Sequence, residues 1–393
     1  MSNEFSALEW RAPQPGPLTV FRHEAMASDF EVALNESQDE QGADAALDAL
    51  DEVDRVEEEL SVFRPNSAVS RINLLAGEIP VKVDRELWDW LELSIRLGKD
   101  TDGAFDIASA PLWRAWGFAD RDGEFPPEDK LKRAIELSGA KNVRMDELAQ
   151  TVAFEQNGVE LNFGAIGKGL ALDCAAKKLE ERGVFNYLIQ GGKSGAIARG
   201  GRLNDYSPDD LDKTIVKKNV DDEFDEESGL RKRTIPPTNG NEIQELLPEA
   251  LRTDESLAVA AKLQDCATGW SIGVAHPLAP EKRLGRLWLH DCALATSGTT
   301  YQFFRAGGKR YSHIIDPRTG YPTLGMLATT VLAPTAAEAD ALSTAFFVLG
   351  PEKTREFCER RPDVGALLIV ECEIEPGYKI LTFNIDSNVF RPC

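Results

Sequence analysis

Asp340 and Thr344 stand four residues apart in Ala336–Leu349, a segment whose apolar residues recur at helical spacing. On a helix both project from one face. A carboxylate and a hydroxyl there suit a hard cation such as Mg²⁺, which keeps waters and substrate phosphates as its other ligands. Polar pairs on exposed helix faces are common, so a solvated face is the alternative for these two residues. A second candidate is Asn162-Phe-Gly-Ala-Ile-Gly-Lys-Gly169. A Gly-bearing turn feeding a helix exposes backbone N–H groups, the usual seat of a phosphate. Lys168 in the first turn opposes the helix dipole, which calls for an anion nearby. This is not a Walker A loop, because the glycine spacing differs and Gly169 takes the Ser/Thr place. A tight packing turn with a solvated lysine fits the same residues.

Two further clusters carry reactive groups. In Tyr311-Ser-His-Ile-Ile-Asp-Pro-Arg-Thr-Gly320 a strand bearing His313 runs into a turn after Asp316. A lone histidine is usually structural; here His, Asp, Arg and Thr crowd one strand-to-turn junction. In Thr101–Phe118 the aromatics Phe105, Trp113, Trp116 and Phe118 suit either a pocket for a flat ring or the core. The chain has no GxSxG elbow, no HExxH and no GxGxxG after a strand, which weighs against a serine hydrolase, a zincin and a Rossmann dehydrogenase.

The elements that must position these groups alternate without a regular βαβ rhythm, so the fold class expected is α+β. Thr19–Leu34 reads as strand, broken at Met26-Ala-Ser-Asp29; Ala43–Leu60, Asp84–Lys99 and Pro127–Leu137 read as helices. Val159–Asn162 reads as a short strand, Gly169–Arg182 as a helix stopped by Gly183, and Tyr187–Gln190 as a strand. Strands are also expected from Trp270 and at Arg286–Leu289, Ala293–Thr296, Tyr311–Ile315 and Ala328–Leu332. Thr335-Ala-Ala-Glu338 is a capping box for the helix that follows, Gly350 closes it, and a further helix starts at Pro351.

The chain has 393 residues, with 44 basic and 66 acidic side chains, a net charge of −22. So acidic a chain is a poor partner for nucleic acid. No apolar run approaches the length of a transmembrane helix. Met1–Trp10 shows neither a basic n-region nor an apolar h-region, so a cytoplasmic location is expected. The six cysteines are scattered and do not cluster with the four histidines, which argues for reduced thiols and against a zinc site. Residues 1–17 read as an extended lead-in, and 18–393 as one domain interrupted by an insertion at 202–266. That insertion carries 9 basic against 16 acidic residues and reads as mostly exposed, with one short helix around Asn241–Leu251.

Together the segments resemble the ApbE family of Mg²⁺-dependent FAD:protein FMN transferases. The matching pieces run in family order: Met26-Ala-Ser-Asp-Phe-Glu31; Leu60 to Asn73; Asp102-Gly-Ala-Phe-Asp106 with Trp116-Gly-Phe118; Asn162 to Gly169; Gly191-Gly192; Trp270-Ser-Ile-Gly-Val274; Ala295-Thr-Ser-Gly298; His313 to Pro322; and Ala339-Asp-Ala-Leu-Ser-Thr344. The resemblance implies an α+β, ApbE-like (T-fold-like) architecture of two similar subdomains, with the flavin nucleotide in the cleft between them. It implies that FAD is a substrate, split at its pyrophosphate, with FMN joined to a Thr or Ser hydroxyl of an acceptor protein and AMP released. Carried over by residue, it implies Mg²⁺ on Asp340, Thr344 and the carbonyl of Ala165, with Ser343 where some members place Asp. Met26, Phe63, Ala104, Phe105, Asp106, Asn162, Lys168 and Val274 match nucleotide-contact positions. His313, with Asp316 and Lys168, is expected to serve catalysis, His313 activating or orienting the acceptor hydroxyl.

Four departures stand out. Asn162 replaces a frequent Asp, Phe63 a frequent Tyr, and Lys193 an acidic or amide residue, while the insertion has no counterpart in the family pattern. Many bacterial members are exported lipoproteins. An FAD pyrophosphatase using water as acceptor, or a non-catalytic FAD-binding protein, are the alternative functions.

Overall fold

The computed structural model describes residues 17–35, 39–118, 123–201, 231–233, 269–299, 303–306, 309–373 and 377–392. Its centre is a nine-stranded sheet in which every neighbouring pair is antiparallel. In chain order its strands are β1 (Leu18–Ala25), β2 (Ser28–Asn35), β6 (Tyr187–Gly191), β7 (Gly195–Arg199), β8 (Arg231–Arg233), β11 (Cys292–Gly298), β16 (Met326–Ala333), β17 (Gly365–Glu371) and β18 (Tyr378–Phe383). Their order across the sheet is β18-β17-β16-β11-β7-β6-β2-β1-β8. Antiparallel pairing together with helices on one face is the α+β class expected from the sequence.

The period-2 alternation of the strands divides the sheet into two faces. Phe30, Val32, Ile189, Ile197, Ala293, Ala295, Val331 and Leu368 point to the principal core. There they meet the helices α1 (Asp39–Leu60), α6 (Gly167–Glu181) and α7 (Ala336–Arg360), through residues such as Val53, Leu172 and Phe346. Their in-between neighbours Ala33, Leu188, Ala196, Leu294 and Leu367 face a second apolar cluster. That cluster is closed by a three-stranded sheet of β9 (Trp270–His276), β10 (Ala279–Leu289) and β19 (Phe390–Pro392).

Around this frame lie α2 (Ala68–Leu75), α3 (Arg85–Asp100), α4 (Ala110–Ala115) and α5 (Glu128–Leu137). A small sheet joins β3 (Val81–Lys82), β5 (Thr151–Phe154) and β4 (Val143–Asp146), and two hairpins pair β12 (Phe303–Ala306) with β13 (Lys309–Ser312) and β14 (Ile315–Asp316) with β15 (Tyr321–Pro322). Local caps fix the helix starts: the side chain of Asp84 accepts from Leu87 N–H at 2.8 Å and that of Thr335 from Glu338 N–H at 3.2 Å.

Some sequence expectations are corrected. Val159–Asn162 is not a strand; its backbone bonds are nonlocal, with Asn162 N–H donating to the Ile107 carbonyl at 2.7 Å and Leu161 held at both its N–H and its carbonyl by the Asn73 amide. The run Tyr311–Ile315 divides between β13 and β14, with His313 between them. As expected, Gly350 (φ 73°, ψ −176°) breaks the helical backbone, so α7 is two helical stretches that meet at a kink, the second starting at Pro351. Within 202–266, Arg231–Arg233 forms β8 against the outer edge of β1; the short helix expected around 241–251 falls outside the described residues. Among the described residues no helix is long and apolar enough to cross a membrane.

Candidate active site

The N-termini of α6 and α7 meet, and each helix supplies a carboxylate to the other. From α6, the Asp173 carboxylate accepts the N–H groups of Ala336 and Ala337 at 2.8 and 2.9 Å. From α7, Asp340 Oδ2 accepts the N–H of Gly169 at 3.2 Å. The first amides of a helix have no partner within it, and a negative group there is favoured by the helix dipole. Gly169 is required by this approach, since a Cβ there would collide with the backbone of Ala336. Asp340, 7% exposed, thus caps the residue that follows Lys168. Burial pushes the Asp173 carboxyl up to about 6, against the opposing pull of the two amides it accepts from.

Beside Asp340 sits a cluster of hydroxyls. Ser297 Oγ on β11 lies 2.8 Å from Ser343 Oγ and 3.0 Å from Thr344 Oγ1, and Ser343 donates to the Asp340 carbonyl at 2.9 Å. Alternation along β11 aims Ser297 at α7, on the side of Ala293 and Ala295. Ser343 is fully buried and its proton is spent within the helix, whereas Thr344 is half-buried.

The oxygens gathered here are of the kind a hard divalent cation takes. Asp340 offers a carboxylate and Thr344 a hydroxyl one turn on. The Ala165 carbonyl lies in the turn before α6. In an uninterrupted helix the Gly169 N–H would donate to that carbonyl; here it goes to the Asp340 carboxylate. All three donors are oxygens, as Mg²⁺ requires, and substrate phosphates would supply the rest. Among the described residues no group of three His, Cys, Asp or Glu side chains is placed to hold a metal ion.

The Asn162–Gly169 turn is held on several sides. Its Gly164 N–H donates to Asn162 Oδ1 at 2.8 Å, and Gly167 N–H to the Phe163 carbonyl at 2.6 Å. Asp106 ties the neighbouring loop, accepting from Ala108 N–H at 2.8 Å and Ala140 N–H at 3.1 Å. Burial raises its pKa, partly offset by those two amides. Met26 and Ala27 form the two-residue turn between β1 and β2, both at positive φ (50° and 53°). A type I′ turn normally takes Asn or Gly there, so these non-glycine residues store backbone strain, which clusters at ligand-contacting sites. The turn lies beside the β6–β7 hairpin, where Gly192 N–H donates to the Asp29 carbonyl at 2.7 Å and Lys193 is exposed. From that hairpin the Ser194 carbonyl accepts the Thr296 N–H at 2.6 Å, next to Ser297. One end of the sheet thus collects Met26, the glycine hairpin and the hydroxyl cluster.

Other expected nucleotide contacts fall in different surroundings. Phe63 is 80% exposed between α1 and α2 and so is available for stacking. Ala104 and Phe105 are buried in the principal core, and Val274 in the second cluster. His313 is half-buried, its ring 6.4 Å from that of Phe118 and edge-on to it. The Asp316 carboxylate is engaged by Arg318, whose Nε and Nη2 donate at 2.8 and 2.9 Å, and the Asp316 carbonyl accepts from Gly320 N–H at 2.8 Å. Asp316 thereby builds the turn that follows His313. Trp116 Nε1 donates to the Gly320 carbonyl at 2.8 Å and so fastens that turn to α4. Three residues with clear structural parts were missed in the sequence: Asp173, Asn73 and the individual role of Ser297. Asn73 closes the Leu60–Asn73 piece and Ser297 lies in Ala-Thr-Ser-Gly, but neither motif gives the partner of its residue.

The sequence profile of the ApbE family matches residues 26–208 and 255–368. A protein of Treponema pallidum named FAD:protein FMN transferase is 28% identical over 318 residues, covering 79% of this chain and 72% of that protein. One of the same name from Escherichia coli K12 is 24% identical over 359 residues, covering 88% and 84%. In fold, the crystal structure of the ApbE protein from Thermotoga maritima superposes with a TM-score of 0.68 at 23% identity, covering 93% of this chain and 96% of that one. The flavin transferase ApbE from Vibrio cholerae gives 0.67 at 22% identity, covering 94% and 97%.

Proposed function

The chain belongs to the ApbE family, and on that premise we propose that it is an FAD:protein FMN transferase. It would act as one transferase domain over 18–393, interrupted at 202–266 and preceded by a lead-in at 1–17. In the reaction the acceptor Thr or Ser oxygen bonds to the FMN-side phosphorus of FAD. The bond from that phosphorus to the bridging oxygen breaks, and AMP leaves with the oxygen. Such transfer depends on positioning and charge neutralisation more than on a strong base.

The observation that carries this reading is the meeting of the α6 and α7 N-termini, where Asp340 accepts the Gly169 N–H beside Thr344 and Lys168. Asp340, Thr344 and the Ala165 carbonyl would hold Mg²⁺, which supplies neutralising charge to the pyrophosphate when bound. The Asn162–Gly169 turn and Lys168 bind phosphate oxygens. Exposed Phe63 stacks on a flat ring, and the strained Met26 turn closes on the nucleotide. The His313 imidazole takes the acceptor's proton, and Asp316 with Arg318 holds the turn that orients His313.

The test is incubation with FAD, Mg²⁺ and an acceptor bearing a flavinylation sequence of the Asp-x-x-Ser/Thr-Gly-Ala-Thr type. The expected result is in-gel flavin fluorescence on the acceptor and AMP in solution. AMP with only free FMN would instead make the chain a pyrophosphatase, and intact FAD a non-catalytic binder.

A further inference from the structure

The hydroxyls of Ser297, Ser343 and Thr344 form a run whose direction can be worked out proton by proton. Ser343 Oγ lies 2.9 Å from the carbonyl oxygen of Asp340, which has no proton to give, so Ser343 donates. A hydroxyl carries one proton. In its other contact, 2.8 Å to Ser297 Oγ, Ser343 therefore accepts and Ser297 donates. That spends the proton of Ser297. In the remaining contact, 3.0 Å to Thr344 Oγ1, Ser297 accepts and Thr344 donates. The run is thus Thr344 to Ser297 to Ser343 to the Asp340 carbonyl, with each donor used once. Ser343 is fully buried, which shields the inner end of the run from competing water.

Thr344 consequently holds its proton against the sheet and keeps both lone pairs of Oγ1 unspent within the run. A cation needs lone pairs, and a hydroxyl proton turned toward it is repulsive. We infer that Ser297 is a positioning residue for the divalent cation: by taking the proton of Thr344 it makes that hydroxyl an acceptor-only ligand before any metal arrives. This rests on the reading of Asp340 and Thr344 as the cation site. Without the Ser297 oxygen, the Thr344 hydroxyl rotates toward other acceptors, such as the i−4 carbonyl of Asp340, and its lone pairs leave the direction in which the run holds them. Partners that orient a metal ligand are typically worth about 10–100-fold in metal affinity.

The experiment is Mg²⁺ titration by calorimetry of the full chain saturated with FAD, for the parent, Ser297→Ala and Ser297→Thr, with the metal-free thermal midpoint of each. The expected result is Mg²⁺ affinity lowered about 10–100-fold in Ser297→Ala, restored to within a few-fold in Ser297→Thr, at nearly equal midpoints. Parent-like Mg²⁺ affinity in Ser297→Ala overturns the inference while leaving the cation site intact. A Thr variant as weak as the Ala variant also overturns it, because the loss would then come from packing. Failure of the parent itself to bind Mg²⁺ with FAD removes the cation reading and this inference with it. Should Ser297→Ala not fold, Ser343→Ala asks the same question. It frees the Ser297 proton to turn on Thr344, so weaker Mg²⁺ binding is expected, and unchanged binding overturns the inference.

Discussion

Asp340 does two jobs with one side chain, and its replacement separates them. As the acceptor for the Gly169 N–H it ties α7 to the start of α6, a capping contact worth about 1 kcal/mol. In the proposed reaction it is also the only carboxylate of the cation site. Asp340→Ala should therefore fold with a modestly lower midpoint yet lose FAD turnover, since a hydroxyl and a carbonyl carry too little charge to hold Mg²⁺ beside a pyrophosphate. Turnover at the parent rate in a chelator would show that the metal assignment is wrong. His313 belongs to the other half of the chemistry. It lies past β13, against Phe118 and just before the turn braced by Asp316 and Arg318. Base or orienting help from a histidine is worth on the order of 10²–10⁴ in rate. His313→Ala should keep FAD affinity within a few-fold while acceptor flavinylation falls by about two orders of magnitude. Matching losses in both would move His313 into the nucleotide pocket.

Between α6 and α7 the buried carboxyl of Asp173 makes stability sensitive to pH. Burial lifts Asp173 to about 6 in the fold, above the value near 4 of an unfolded chain. A raised value favours the protonated carboxyl in the folded state. Its contribution to stability is therefore complete below about pH 4 and lost as pH rises through about 6. Asp173→Asn cannot titrate and still offers one acceptor to the α7 amides. Its unfolding free energy relative to the parent should thus improve by about 2 kcal/mol between pH 4.5 and 7.5; denaturant curves giving a constant difference would refute the linkage. The same pair of helices shows where sequence reading succeeds and fails. Thr335 and Glu338 announce the start of α7 because a capping box is local, and Met26-Ala-Ser-Asp29 announces the β1–β2 turn in the same way. Asp340 and Thr344 were legible from spacing. Asp173 was not, because its partners lie 163 and 164 residues away, and neither was Ser297, 46 and 47 residues from Ser343 and Thr344. Val159–Asn162 looked like a strand because its apolar residues fill a core position, but its backbone is satisfied by Ile107 and Asn73 instead of a ladder.

At the scale of the whole molecule the acidic stretch 202–266 carries none of the candidate site residues. The family profile breaks between residues 208 and 255, inside this stretch, and each candidate site residue lies outside it. The chain on its two sides comes together: Trp270 Nε1 donates to the Arg199 carbonyl at 3.0 Å, so a short bridge spans the gap. The described structure within it is β8, paired with the outer edge of β1 through Arg231, Lys232 and Arg233. β8 ends the sheet, while β6, β7 and β11 near the hydroxyl cluster lie further in. Among the described residues, replacing 202–266 with a short Gly/Ser linker removes one edge pairing, that of β8 with β1. The thermal midpoint should fall by no more than about 2–4 °C, and FAD affinity by titration should stay within about twofold of the parent, since closure entropy changes only slowly with the length of a connection. A replaced chain that no longer folds, or one that folds but loses FAD, would show that the stretch braces the β1 edge and, through it, the Met26 turn.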